Sequence, residues 1–445
     1  MSTTSTEGPG ASPTRQIAHG FRPGSARAAL AYPDFRRMWV ASFASNVGTW
    51  MQNVILPAYV YDRTGKASVA GLLVFAQLGP LLILSIPGGV IADRFDRRKW
   101  LIAMQIVQLC FSVALAPLAA TDAPIWSLFL VAMCVGIGNA LNAPAWSAML
   151  PTLVSKADLA GSISLNSTMI NGSRVIGPIL VAGLRPLGVS TAEIFVLNAA
   201  TYLFVVFALL SVHLPSIGGV AREKGMRQFT SGLRLARSIP VASRLLIALT
   251  TFSLLSLPYV GLFPAVANLN FGIEPKSSTY NWLYATWGFG ACLGGLAIGT
   301  VFVGWDARRL IRLGFASFAV CLAAFAISAH PLPAFISGFV LGFCYFATTT
   351  SMLTVLQSRL ADNQRGRVMS LWFMAFGGTV PLGNLVFGPV IDAVGARWVL
   401  LMGAAWALVL AWWCDIAAID ARTHDHSAKP DHTSISDEHG ISAGD

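Results

Sequence analysis

Gly89-Val-Ile-Ala-Asp-Arg-Phe-Asp-Arg-Arg-Lys99 sets six charges, Asp93, Arg94, Asp96, Arg97, Arg98 and Lys99, between two long apolar runs. Only 11% of the 445 residues are charged, so a cluster this dense needs a cause. A short loop between two membrane spans supplies one, because cations hold such a loop at the cytoplasmic surface. Asp93 stands at the end of the preceding span, where it can latch onto a neighbouring helix end or an arginine of its own loop. Topology alone asks for the cations but not for that acid.

The chain around this loop is 55% hydrophobic, with a mean hydropathy of +0.64. Soluble domains carry about 25% charged residues. The apolar runs reach the roughly 20 residues that a helix needs to cross a bilayer. Strand-like segments of alternating hydrophobicity are absent, which argues against a barrel. The runs predict an all-α membrane protein with twelve spans. They fall near 38–61, 68–92, 99–120, 125–149, 160–184, 191–212, 243–267, 279–303, 309–329, 333–357, 367–391 and 396–417. Residues 1–35 and 419–445 read as disordered cytoplasmic tails. Residues 36–214 and 241–418 read as two pseudo-symmetric six-helix halves. Between them 215–240 reads as an amphipathic linker helix on the anionic inner leaflet, with Met226, Phe229, Leu233 and Ala236 at helical spacing among arginines.

The basic residues orient the bundle. With the N-terminus in the cytoplasm, 24 of the 30 lysines and arginines fall on that side, five fall opposite, and Arg174 alone lies inside a span. The positive-inside rule then puts both termini in the cytoplasm. The net charge of +10 reads as topology and contact with anionic lipid, and no soluble basic face is available for nucleic acid. The six cysteines all lie in spans without a CxxC pair, so they read as packing residues. The seven histidines lie in tails or at span ends, four of them (His424, His426, His432, His439) in the C-terminal tail. HExxH, GxSxG and phosphate-loop patterns are absent, so neither an enzyme nor a metal site is expected.

The two halves echo each other weakly. Asp158-Leu-Ala-Gly161 and Gly177-Pro178 mark the fifth span, and Asp362-Asn-Gln-Arg-Gly366 and Gly388-Pro389 mark the eleventh. Together with Gly48-Thr-Trp-Met-Gln52, the 89–98 loop, Asn171-Gly-Ser-Arg-Val-Ile-Gly-Pro178 and Arg365-Gly-Arg-Val-Met-Ser370, these motifs resemble the major facilitator superfamily. More narrowly they resemble its bacterial drug and siderophore exporter branch, the enterobactin-exporter-like or transmembrane secretion effector type, from Asp34 to about Asp415. That resemblance implies a loop latch built on Gly89, Asp93, Arg94, Arg97 and Arg98, with Asp96 where the general motif has glycine. The matching loop of the second half, Gly304-Trp-Asp-Ala-Arg-Arg309, is degenerate. The resemblance also implies an antiporter-like motif at Arg174, Gly177 and Pro178, against which stands ordinary small-residue packing.

An intramembrane arginine is costly, so Arg174 should face a cavity or a partner. It reads either as a receptor for an anionic cargo group or as a structural arginine bonded to Asn171 and Asn166. Asn46, Trp50, Gln52, Asn53, Gln77, Asn139, Asn142, Asn166, Asn171, Trp287, Trp372 and Asn384 are further cavity candidates, weighed against interhelical hydrogen bonding and aromatic packing. No acid lies mid-span, and Asp62 is the candidate for proton coupling. Gly136, Gly138, Gly288, Gly290, Gly294, Gly295 and Gly299 read as points of bending.

The expected function is secondary-active efflux of an amphiphilic small molecule, a drug or a siderophore, by alternating access. Proton coupling follows from the family only, with no cofactor. The expected setting is the bacterial inner membrane, as a functional monomer. The alternatives are an importer or lysophospholipid flippase on the same fold, a non-transporting receptor, or a membrane-embedded enzyme.

Overall fold

The computed structural model describes residues 20–92, 95–149, 152–212 and 226–416. Its helices are α1 (Ala26–Leu30), α2 (Pro33–Thr64), α3 (Ala67–Ala92), α4 (Arg97–Ala120), α5 (Ile125–Met149), α6 (Leu159–Leu184), α7 (Thr191–Ser211) and α8 (Met226–Ser238). There follow α9 (Pro240–Leu255), α10 (Phe263–Phe271), α11 (Ser278–Ile298), α12 (Ala307–Ile327), α13 (Pro331–Ser358), α14 (Asp362–Phe373), α15 (Thr379–Val394) and α16 (Ala396–Trp413). Helices α2–α7 are the spans of the first half. In the second half, α9–α10 and α14–α15 each make one span beside α11, α12, α13 and α16. Alternating directions put the start of α2 and the end of α16 at one end of the bundle, here the terminal end.

Among the described residues, eight stretches are long and apolar enough on their own to cross a bilayer: most of α3, then α4, α5, α7, α12, α13, 367–394 and α16. Helices α2, α6 and α11 are long enough, at 32, 26 and 21 residues, but carry more polar side chains. These three take part in the contacts between the halves, α6 on α11 and α2 on α10.

The duplication that the motifs hint at is plain in the packing. In the first half α4 packs on α5 and α7, and α3 packs on α5. In the second α12 packs on α13 and α16, and α11 packs on α13. Across the boundary α3 meets α15 and α6 meets α11, which relates the halves by a pseudo-two-fold. Glycines permit the closest approaches. A Cβ on Gly136 would collide with the Gln77 carbonyl, and one on Gly342 with the Trp287 carbonyl. Gly290 and Gly294 face the carbonyls of Phe339 and Phe343 in the same way. Four of these glycines therefore join helix to helix, and Gly136, Gly290 and Gly294, expected as points of bending, are contact points. In lipid, where apolar burial adds little to helix association, such backbone approach is what holds spans together.

The seventh span is not the continuous helix expected over 243–267. Helix α9 ends at Leu255, a 3-10 turn covers Pro258–Val260, and α10 begins at Phe263. Pro258 has no N–H to continue the helix and pushes Leu257 out of the helical region. Ser256 Oγ donates to the Gly403 carbonyl at 2.8 Å, and Gly261 lies against the Asn384 amide. The eleventh span has a π-helical stretch, Met374–Gly378, at its glycine pair.

Part of the expected N-terminal tail is folded. Asp158 is 3% exposed and accepts from Gly24 N–H at 3.0 Å, Tyr32 O–H at 2.9 Å and Ser155 O–H at 3.0 Å. Gly161 lies against the Ser25 carbonyl, so α1 docks on the start of α6. Asp158→Ala should leave those donors orphaned and lower stability by about 2 kcal/mol. Limited trypsin digestion would report it as faster cutting after Arg27, and an unchanged rate would show that α1 holds without the carboxylate.

Candidate functional site

The opening loop is only partly described. Gly89 lies within α3, whereas Asp93 and Arg94 lie outside the described residues. Asp96 caps α4 by accepting from Lys99 N–H at 2.9 Å, which gives this departure from the general motif a local purpose. Arg97 opens α4, and Arg98 donates to the Leu210 carbonyl at the end of α7. In the degenerate counterpart, Asp306 caps α12 through Arg308 N–H at 3.0 Å. The hydrogen bond from the Arg308 side chain, at 3.0 Å, holds the Asp306 carboxyl below the usual range. Here the acid is a local cap.

The polar candidates divide by location. Gln52 accepts from Ser112 O–H at 2.7 Å and Asn198 N–H at 2.7 Å, which ties α2, α4 and α7 inside the first half. Gln52, Asn53, Gln77 and Asn139 line a cavity of about 20 Å³ with Thr49, Gln108 and Tyr202, among others. That is room for one water, not for a cargo. Asn46 donates to the Ser42 carbonyl at 2.9 Å, and Asn166 accepts from Trp146 Nε1–H at 3.3 Å. Asn142 lies further along α5 from Asn139, and its Oδ1 is buried without a partner. Asn384 is fully buried between Gly71 of α3 and Gly261, with neither amide atom bonded. Trp372 is buried in the core of the second half. Trp287 shares that core and donates to Tyr259 O at 3.2 Å.

Arg174 and Trp50 come together at the boundary between the halves. The guanidinium carbon lies 5.0 Å from the Trp50 ring of α2 and 5.3 Å from the Phe346 ring of α13. Behind Phe346, Tyr345 stacks on Trp287 at 6.0 Å and on Phe376 at 6.2 Å. The hydroxyls of Tyr284 and Tyr345 feel the Arg174 charge. Gly177 fits against Trp50, Met51 and Val47, and Gly288 of α11 faces the Arg174 carbonyl. Helix α6 continues through Pro178, which lacks the N–H that would bond that carbonyl four residues back. Gly177 and Pro178 thus set α6 close to both neighbours at the level of Arg174. Phe346, Tyr345 and Tyr284 carried no sequence signal beyond being aromatic.

A polar stripe leads to this point. Ser164, Ser167 and Thr168 are exposed and Asn171 is half-buried, all on the face of α6 that Arg174 continues. Asn171 donates to the Ser167 carbonyl at 3.0 Å. The expected structural bonds from Arg174 to Asn171 and Asn166 are therefore replaced by local ones.

Contacts between the halves gather beyond Arg174, towards the end opposite the termini. Lys276 pairs with Asp62 at 2.6 Å, and Tyr61 O–H donates to Asn268 Oδ1 at 3.4 Å. Ser278 Oγ donates to the Ala182 carbonyl at 2.7 Å. Asp392, at the end of α15, accepts from Ala67 N–H at 2.6 Å and Ser68 N–H at 3.0 Å, the first residues of α3. Asp62 is thus a partner in this closure.

Among known proteins, the family model described as transmembrane secretion effector matches residues 24–438. The chain is 27% identical to the staphyloferrin A transporter of Staphylococcus aureus, over 80% of this chain and 89% of that one. It is 26% identical to the enterobactin exporter EntS of Escherichia coli, over 85% and 92%. It is 23% identical to macrolide efflux protein A of Streptococcus pyogenes, over 83% and 92%. Among solved structures, a mutant of the nucleoside transporter NupG has a TM-score of 0.69 at 16% identity, covering 85% of this chain and 98% of that one. A bacterial homologue of the human lysosomal transporter Spinster has a TM-score of 0.66 at 15% identity, with coverages of 87% and 97%. The duplicated twelve-span bundle and the match along nearly its whole length agree: the chain belongs to the transmembrane secretion effector family of major facilitator transporters.

Proposed function

We propose that this chain exports an amphiphilic small molecule, of the drug or siderophore kind, by alternating access driven by the proton gradient. The observation that carries this reading is the asymmetry of the boundary between the halves. Polar contacts close it at the end opposite the termini, while an exposed polar stripe on α6 runs from the terminal end up to Arg174. Both termini are assigned to the cytoplasm from the distribution of cations, in the bacterial inner membrane. Cargo would then load from the cytoplasm along the stripe, and release would require the opposite closure to break. Asp62 and Asp392 are the acids in that closure, and protonating either one removes charge from it. The relatives that are exporters favour the outward direction.

The test is loss of compounds from loaded cells with and without the protein, over lipophilic cations, macrolides, catecholates and aromatic acids. At least one class should leave faster with the protein present, and an uncoupler should abolish the difference. Protein-dependent accumulation would replace export by import. Export that survives the uncoupler would remove the proton gradient as its source of energy.

A further inference from the structure

Arg174 is a cation at the boundary between the halves, and no carboxylate among the described residues pairs with it. Its Nε is buried and has no hydrogen-bond partner. The two rings that flank it come from opposite halves, Trp50 from the first and Phe346 from the second. Ring faces stabilise the charge but take none of the guanidinium's five N–H groups. A fork of donors presented edge-on between two aromatic faces is matched by a planar anion carried next to a flat apolar body.

We propose that Arg174 is the receptor for an anionic group of the cargo, a carboxylate or catecholate, and that Trp50 and Phe346 clamp the apolar part beside it. This inference rests on the export reading and narrows its substrate class. The polar stripe delivers the anion through a hydrated path, where Ser164, Ser167, Thr168 and Asn171 offer hydroxyl and amide groups on the way. At Arg174 the anion exchanges water for charge-assisted hydrogen bonds, and the aromatic wall of Tyr345, Trp287 and Phe376 lies behind Phe346. Because one clamp ring belongs to each half, bound cargo bridges the two bodies that must move against each other. A neutral ester of the same compound keeps the stacking but gives up the charged contact.

The experiment pairs aromatic carboxylic acids and catecholates with their methyl esters and ethers, and runs macrolides and lipophilic cations alongside. Efflux is measured with the wild-type protein, Arg174→Lys and Arg174→Gln at matched membrane abundance. The acids should be exported in preference to their esters. Arg174→Gln should lower that export by about tenfold or more, the worth of one charge-assisted hydrogen bond, and Arg174→Lys should retain part of it. The melting temperature of purified Arg174→Gln, measured without cargo, should be no lower than that of the wild type, because a charge without a partner has been removed. A structural arginine would give the reverse, a lower melting temperature with acid export falling only in step with folded protein, and that result overturns the proposal. Export confined to neutral or cationic compounds, or acid export unchanged in Arg174→Gln, overturns it while the export reading stands. No protein-dependent efflux of any compound removes the export reading, and this inference with it.

Discussion

Gly290→Val should yield little or no folded transporter, whereas Gly295→Ala, five residues along the same helix, should behave like the wild type. Gly290 faces α13 with the Phe339 carbonyl and Cα against it, all of them backbone atoms. A rotamer change cannot relieve a collision with backbone, so α11 and α13 would have to part. Gly294 repeats the contact one turn on at Phe343, and Gly342 answers it from α13 at the Trp287 carbonyl. Parting the helices at one of these points loosens the others. The cost lies at or above the top of the range of about 1–3 kcal/mol for overpacking a tight core. A soluble protein recovers part of such a loss by keeping apolar surface away from water, but lipid solvates a separated span as well as a packed one. The damage also reaches the cargo site, since Trp287 and Tyr345 stack across the same pair of helices. In contrast, a Cβ on Gly295 meets Thr350 Oγ1 at 3.7 Å, an ordinary contact. Alanine there should change stability by no more than about 0.5 kcal/mol. Size-exclusion profiles and melting curves of the two variants check the pair. A monodisperse Gly290→Val protein would mean that this seam is looser than its geometry.

These glycines show where sequence reading reaches its limit. Apolar runs and cation asymmetry are local signals, so the twelve spans and the match between halves are legible along the chain. A glycine stripe, by contrast, reads the same whether it permits bending or contact, because the deciding atom sits on another helix. The break in the seventh span is masked by its own composition. Ser256–Leu262 continues the hydropathy of its flanks, and only Pro258 and Gly261 mark the change in backbone. Asp158 is similar: it looks like the start of a helix, but its partner Tyr32 is 126 positions away. At the site, Arg174 stands out because a lone cation inside a span is conspicuous, and Trp50 is among the candidates for its ring. Phe346 and Tyr345 are two among the 34 phenylalanines and tyrosines, and their role exists only once α13 lies against α6. The amides mislead for a related reason, since Gln52, Gln77 and Asn198 have the chemistry of a binding site but spend it on one another and on neighbouring helices.

Asp392→Ala should shift the protein towards a state open at the end opposite the termini. Asp392 is 325 positions from the helix that it caps. Its two oxygens take the N–H groups of Ala67 and Ser68, which no intrahelical carbonyl satisfies, at the positive end of α3. Gly388, one turn earlier on α15, lies against Ser68 Cα and the Ala67 carbonyl, which brings the carboxylate within reach. A helix in one half is thus capped by an acid in the other, and the cap exists only while the halves are closed there. The Asp62–Lys276 pair nearby is weaker per contact, because both side chains are more than a third exposed and water screens them. Removing the Asp392 carboxylate leaves two amides unpaired in the closed state, while water reaches them in the open one. A bias of about 2 kcal/mol towards opening corresponds to a change of roughly thirtyfold in the ratio of the two states. Ala70→Cys is a fitting reporter, as Ala70 is fully buried beside Ala67 in the core shared by the halves. A water-soluble maleimide should label that cysteine faster by about the same factor when Asp392→Ala is added to the purified protein. Lys276→Ala should change the rate only a few-fold, as expected for a screened pair worth less than about 1 kcal/mol. Equal labelling with and without Asp392 would mean that the apolar packing of Ala67, Ala70 and Leu262 closes this end by itself, and that the cap follows closure rather than holding it.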